Sequence, residues 1–207
     1  MIELFASAFA TFFVVIDPPG CAPIFASLTR DAPERHRRAM AIRSTLVAGG
    51  ILLFFALLGE ALLKHLGISL AAFRIAGGIM LFLIALEMVF EKRTQRRETR
   101  AQEVSADPEH DDISVFPMAI PMIAGPGSIA SVMLLMARSE GLQRSLVVLG
   151  ALAATLVLTL LSLLAAGPLM RLMGHKAEAM LTRLLGVILA ALAAQFVIDG
   201  ISVSFQV

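Results

Sequence analysis

The sequence predicts an all-α membrane protein: six transmembrane helices built as two inverted three-helix repeats, with helices 1 and 4 broken mid-membrane. Three observations carry this. The chain is 58% hydrophobic with a mean hydropathy of +0.85, above the range of soluble domains. Ser145 to Met170 runs 26 residues without a charge, and a spanning helix needs about 20. Two apolar stretches, 14–25 and 120–131, are each interrupted by a Pro-Gly breaker. Proline removes a backbone donor and clashes with the preceding turn, and glycine tolerates positive φ. Non-helical backbone at membrane depth survives only where it is buried in protein or lines a cavity. A matched pair of interrupted helices is the best sequence pointer to a transporter's binding site.

Span 1 covers 2–29 and is broken at 17–20, with Pro18 and Pro19 as breakers. No basic run precedes it and Glu3 stands at its start, so it is expected to stay rather than be cleaved as a signal. Span 2 covers 40–63, with Glu60 and Lys64 at i,i+4 near its end, a spacing that favours an ion pair. Span 3 covers 68–90. Its Gly77-Gly78 pair permits close helix contact, and Arg74 just before it either pairs with a carboxylate across the bundle or snorkels to the surface. Residues 91–112 are charged, contain Pro108 and lack apolar periodicity, so a solvated, mobile cytoplasmic linker is expected between a first half, 1–90, and a second, 113–207. Asp112 stands where the N-cap of span 4 belongs. That span covers 113–137 and is broken at 124–127, with Pro126 as breaker and Pro117 and Pro121 kinking its first half. Spans 5 and 6 cover 145–171 and 179–203. Tryptophan and tyrosine are absent, so arginine and phenylalanine must anchor the helix ends in place of an aromatic belt.

Basic residues orient the chain. Loops 1–2, 3–4 and 5–6 share one side and carry thirteen of the 17 Lys and Arg; only Lys64, Arg74, Arg138 and Arg144 lie on the other. The positive-inside rule then puts both termini outside, in the periplasm of a bacterial inner membrane, and the linker in the cytoplasm. The halves also align. A shift of 107 lays Pro19 on Pro126, Gly20 on Gly127 and Lys64 on Arg171; a shift of 109 lays Arg74 on Arg183 and Gly77 on Gly186. Three spans per half is odd, so the second repeat must be inverted.

The breaks carry the chemistry. Unwinding exposes orphan N–H groups on one side and orphan C=O groups on the other. The helix starts after Gly20 and Gly127 suit a carboxylate, and the carbonyl ends suit an ammonium, Na⁺ or a proton carrier. Opposite dipoles in one small space suit a zwitterion. Gly20, Cys21, Gly125, Gly127 and Ser128 are the small residues expected to line the substrate site. Asp17 has two readings. It is the ammonium partner or coupling-proton carrier, since an intramembrane carboxylate costs at least ~2.5 kcal/mol; or it caps the helix after the break. Ser128 likewise donates to a carboxylate or caps its half-helix. One cysteine excludes an internal disulfide, and the four histidines scatter over loops and ends. No metal site, cofactor or nucleic-acid partner is expected.

Three motifs are also familiar: Asp17 to Phe25 (DPPGCAPIF), Ile68 to Gly78 (ISLAAFRIAGG) and Asp112 to Ile129 (DISVFPMAIPMIAGPGSI). With six spans and the overall length, the chain resembles the MarC family of integral membrane proteins, grouped with LysE-type exporters. The resemblance implies a six-helix inner-membrane protein, some relatives transporting small neutral amino acids. Relatives often carry Asn where Cys21 stands here, which bears on substrate identity.

The expected function is transport of small neutral amino acids or similar zwitterions, with H⁺ or Na⁺ as coupling ion. The alternatives are an exporter or channel for an ion or small metabolite, with Asp17 as cation ligand, and a membrane protein without transport activity. An enzyme is not expected, since no histidine lies deep in a span to serve as base. The expected partners are the lipid bilayer and the substrate, and a homo-oligomer stays open.

Overall fold

The computed structural model describes residues 1–30, 32–105, 112–139 and 141–205, side chains at 94, 100–105 and 169–178 lying outside the description. The fold is helical, with no strand among the described residues. Helix α1, Ile2–Ile16, ends at Asp17, whose left-handed backbone (φ 59, ψ 64) interrupts the helix for one residue. Helix α2, Pro18–Leu28, starts at once. Pro18 and Pro19 fall in its first turn, where a missing N–H costs nothing. The break is thus a single residue rather than 17–20, and Ile2–Leu28 remains one run of 27 residues.

Helix α3, Glu34–His65, is 32 residues long, about 48 Å at 1.5 Å per residue. Its end is closed by Gly67 at φ 70, with Ile68 N–H donating back to Leu63 O at 2.9 Å, a left-handed terminator that favours glycine. The expected Glu60–Lys64 pair forms at 3.0 Å. Ser69 Oγ accepts from Ala72 N–H at 3.1 Å to cap α4, Leu70–Val89.

The charged linker expected over 91–112 begins as a helix, α5, Lys92–Ser105. Asp112 does cap the start of the fourth span, its Oδ1 accepting from Ser114 N–H at 2.9 Å while Oδ2 pairs with Arg43. The segment Ser114–Ile123 is wound loosely, with non-helical backbone at Phe116 and Ile120, each preceding a cis proline. It meets α6, Pro126–Ala137, at a 53° bend. Helix α7 runs Leu142–Leu164, ending earlier than the expected 171, and α8 runs Ala166–Phe205. Among the described residues five helices, counting Ile2–Leu28 as one, are long and apolar enough to cross a bilayer, and the bent pair, taken as one span, would be the sixth. Large apolar side chains such as Leu46, Phe54, Leu57, Leu161 and Val187 stay exposed on the outer faces, as lipid contact requires.

The principal pairings exchange when the halves are exchanged. α1 and α2 pack on α7 as Ser114–Ile123 and α6 pack on α3; α6 packs on α4 as α1 and α2 pack on α8; α4 pairs with α8 and α3 with α7. Glycines set the α4–α8 distance. A Cβ at Gly78 would stand 2.9 Å from Ala193 O, and one at Gly200 3.0 Å from Ala71 O, the close backbone approach that small residues provide in lipid. Gly77 faces α6 instead, toward Leu134 and Ala130. Arg74 stands beside Gly200, its Nε buried and without a partner among the described residues; the carboxylate across the bundle, Asp199, pairs with Arg138.

Candidate functional site

The first break generates unpaired carbonyls at the end of α1 and unpaired N–H groups at the start of α2. Asp17 serves the second set: its Oδ1 accepts from Gly20 N–H at 3.1 Å. Gly20 is required here for a local reason. A Cβ on it would strike the Asp17 carboxylate, with Cγ at 2.7 Å. Gly20, expected to line the substrate site, is thus crowded by the cap of its own helix. Cys21 is fully buried, and its Sγ donates to Ile16 O at 3.5 Å.

The remaining groups are met from an unexpected direction. Helix α5 lays two arginines into the break. Arg93 Nη2 donates to Val15 O at 2.7 Å and its Nη1 lies 2.9 Å from Met88 Sδ. Arg97 Nη1 pairs with Asp17 Oδ2 at 3.1 Å, and its Nη2 reaches Met122 O, just before the second break, at 3.5 Å. Arg97 thus joins the two breaks. Asp17 is 1% exposed, and a carboxylate so buried requires such a partner. Arg93 is 7% exposed; burial, with Arg97 adjacent, pulls its guanidinium down to about 10, so it stays charged at neutral pH. Arg96 is held aside by Glu87 at 2.7 Å.

The second break opens onto a cavity of about 270 Å³, lined among others by Arg93, Arg97, Met122, Gly125, Gly127 and Ser128. Gly125 N-caps α6, no side chain caps the helix, and Ile129 N–H already returns to Gly125 O. The N–H groups of Gly127 and Ser128 are then the orphan donors of the first turn. Ser128 is 2% exposed. A Cβ on Gly127 would press on Ile84 Cδ1 at 2.6 Å and Val15 Cγ1 at 3.2 Å, so the first half does approach this glycine.

The sequence-predicted site residues therefore divide. Gly125, Pro126, Gly127 and Ser128 line the cavity; Asp17, Gly20, Cys21, Pro18 and Pro19 build the first break beside it; Arg74, Gly77 and Gly78 belong to helix packing away from it. Sequence reasoning missed Arg93, Arg96 and Arg97. Their only signal is three basic residues spaced along a stretch too polar to need burial. The cavity lining carries no acid among the described residues, so the arrangement favours a carboxylate at the α6 N-terminus. The acceptors for a cation lie at Asp17 and the carbonyls of Val15 and Met122. No group of three or more metal-ligating side chains occurs among the described residues.

Comparison with known proteins agrees with this architecture. Residues 2–205 match the family described as MarC family integral membrane protein. A UPF0056 membrane protein of Methanocaldococcus jannaschii is 40% identical over 97% of both chains. The UPF0056 membrane protein YvbG of Bacillus subtilis is 33% identical, covering 100% of this chain and 98% of its own. The UPF0056 inner membrane protein YhgN of Escherichia coli is 35% identical over 94% of each. No solved structure matches. A helical chain with two broken spans, matched from end to end by these relatives, belongs to the MarC family of integral membrane proteins.

Proposed function

We propose that this protein is a multi-pass inner-membrane transporter of small neutral amino acids or similar zwitterions, working at the cavity where its two broken spans meet. One observation carries the reading. Orphan N–H groups of α6 and acceptors at Val15 and Met122, with Asp17 beside them, flank one cavity of about 270 Å³. That is just below the ~300–1,000 Å³ of pockets for drug-sized ligands, and opposite polarity at its two ends matches a zwitterion. The exchange of pairings between halves supports two three-span repeats, and the odd number of spans makes them inverted. The distribution of basic residues supports an orientation with both termini outside and α5 in the cytoplasm. A cation channel liganded by Asp17 is less well supported, because a bare cation leaves the orphan N–H groups at the uncapped α6 N-terminus without a partner.

The test is uptake of a panel of labelled amino acids into proteoliposomes, with and without a pH or Na⁺ gradient. Saturable uptake of a small neutral member is expected, and its loss in Gly127→Leu, where Ile84 and Val15 leave no room. No saturable uptake of any member would end the reading. A Thr99→Cys probe on α5 in a Cys21→Ser background should resist an impermeant thiol reagent applied outside; rapid labelling would reverse the orientation.

A further inference from the structure

We propose that Arg97 occupies the subsite for the ligand's ammonium group, so that α5 is a built-in plug displaced by the cation it imitates. The inference rests on the cavity being the ligand site of the proposed transporter. The groups Arg97 touches are acceptors alone: the Asp17 carboxylate at 3.1 Å and Met122 O at 3.5 Å, one from each broken span. Arg93 takes a third, Val15 O. These are the partners a primary ammonium would need, and they adjoin the N–H groups of Gly127 and Ser128 that a carboxylate would need. With α5 in place the cationic half of the site is filled from within the chain.

The helix is suited to leave. Its sequence, KRTQRRETRAQEVS, has Ala101 and Val104 as its only apolar residues. A helix polar all round has no hydrophobic face to dock. Its described attachments are the guanidinium contacts of Arg93 and Arg97 and the Arg96–Glu87 pair, and each can be exchanged for another cation. Glu91, at φ 59, turns the chain between α4 and α5.

Opening is thereby coupled to loading. Withdrawing Arg97 alone would leave Asp17, 1% exposed, as an uncompensated buried carboxylate, which is strongly unfavourable. Exchange for an ammonium removes that penalty. An empty, unplugged site is disfavoured, and α5 releases when a cation replaces it.

The experiment uses the full chain in nanodiscs and methylammonium as the probe. On the wild type, saturating methylammonium should speed amide hydrogen exchange of residues 92–99 by about 10-fold or more, as for a locally released element; tetramethylammonium acetate, whose bulky cation has no N–H to donate, should not. Arg97→Ala, with the subsite already vacated, should bind methylammonium about 10-fold more tightly than the wild type, and adding Asp17→Asn should cancel the gain. Unchanged exchange under methylammonium, equal release by tetramethylammonium acetate, or no tighter binding by Arg97→Ala overturns the proposal. The wild-type arm needs no variant to fold. Release of α5 in a protein that takes up no amino acid would keep the plug and remove the transport reading; amino acid uptake without release would do the reverse.

Discussion

Asp17 holds the first break in two ways, and two substitutions separate them. Asp17→Ala removes the cap on Gly20 N–H, worth about 1 kcal/mol. It also puts alanine at φ 59, where a residue without a short polar side chain costs roughly 1–2 kcal/mol. It leaves Arg97 without its carboxylate as well. Asp17→Asn caps about as well as Asp and tolerates the left-handed region, so it loses only the charge. The Arg97 contribution cancels in the comparison, since both variants lack it. The difference between the variants is therefore the backbone role alone, about 2–3 kcal/mol, or roughly 4–12 °C at the ~2–4 °C per kcal/mol of a chain this size. Cys21 supplies the assay: it is the only cysteine and fully buried, so a thiol-reactive fluorophore reports melting in detergent directly. Asp17→Asn should melt below the wild type, because it strands the buried Arg97 guanidinium, and Asp17→Ala clearly below Asp17→Asn. Coincident melting of the two variants would refute the argument that this side chain sets the break.

Two further outcomes are expected. Gly78→Ala should lower the melting temperature although alanine is the better helix former by ~1 kcal/mol, because its Cβ would meet the backbone of Ala193 and Val197; Gly50→Ala, with nothing within 4 Å, should leave melting unchanged or raise it. Burial alone would raise the Asp112 carboxyl, but the Ser114 hydroxyl and N–H, with Arg43, hold it below its usual range. A carboxyl depressed in the folded state contributes stability above its unfolded value, about 4, and loses it as pH falls through the folded one. A melting profile that is flat from neutral pH down to about 5, then falls more steeply than in Asp112→Asn, is the expected result.

What the sequence determined by itself is local or additive. Hydropathy summed over about 20 residues locates a span whatever surrounds it, and the Pro-Gly breakers mark both interruptions because they act on their own backbone. The Asp112 cap and the Glu60–Lys64 pair are spaced within one turn, so their partners are named by their positions. Tertiary structure decided who meets whom across the chain. Arg97 finds Asp17 from 80 residues away, and nothing in a charged stretch without periodicity records that meeting. It also decided why each glycine is a glycine: Gly20 yields to its own cap, Gly127 to Val15 and Ile84, and Gly78 to the backbone of α8. Sequence read the carboxylate as awaiting a cation from outside; only packing shows that the chain supplies one, because desolvating Asp17 demands a partner and α5 is near enough to provide it.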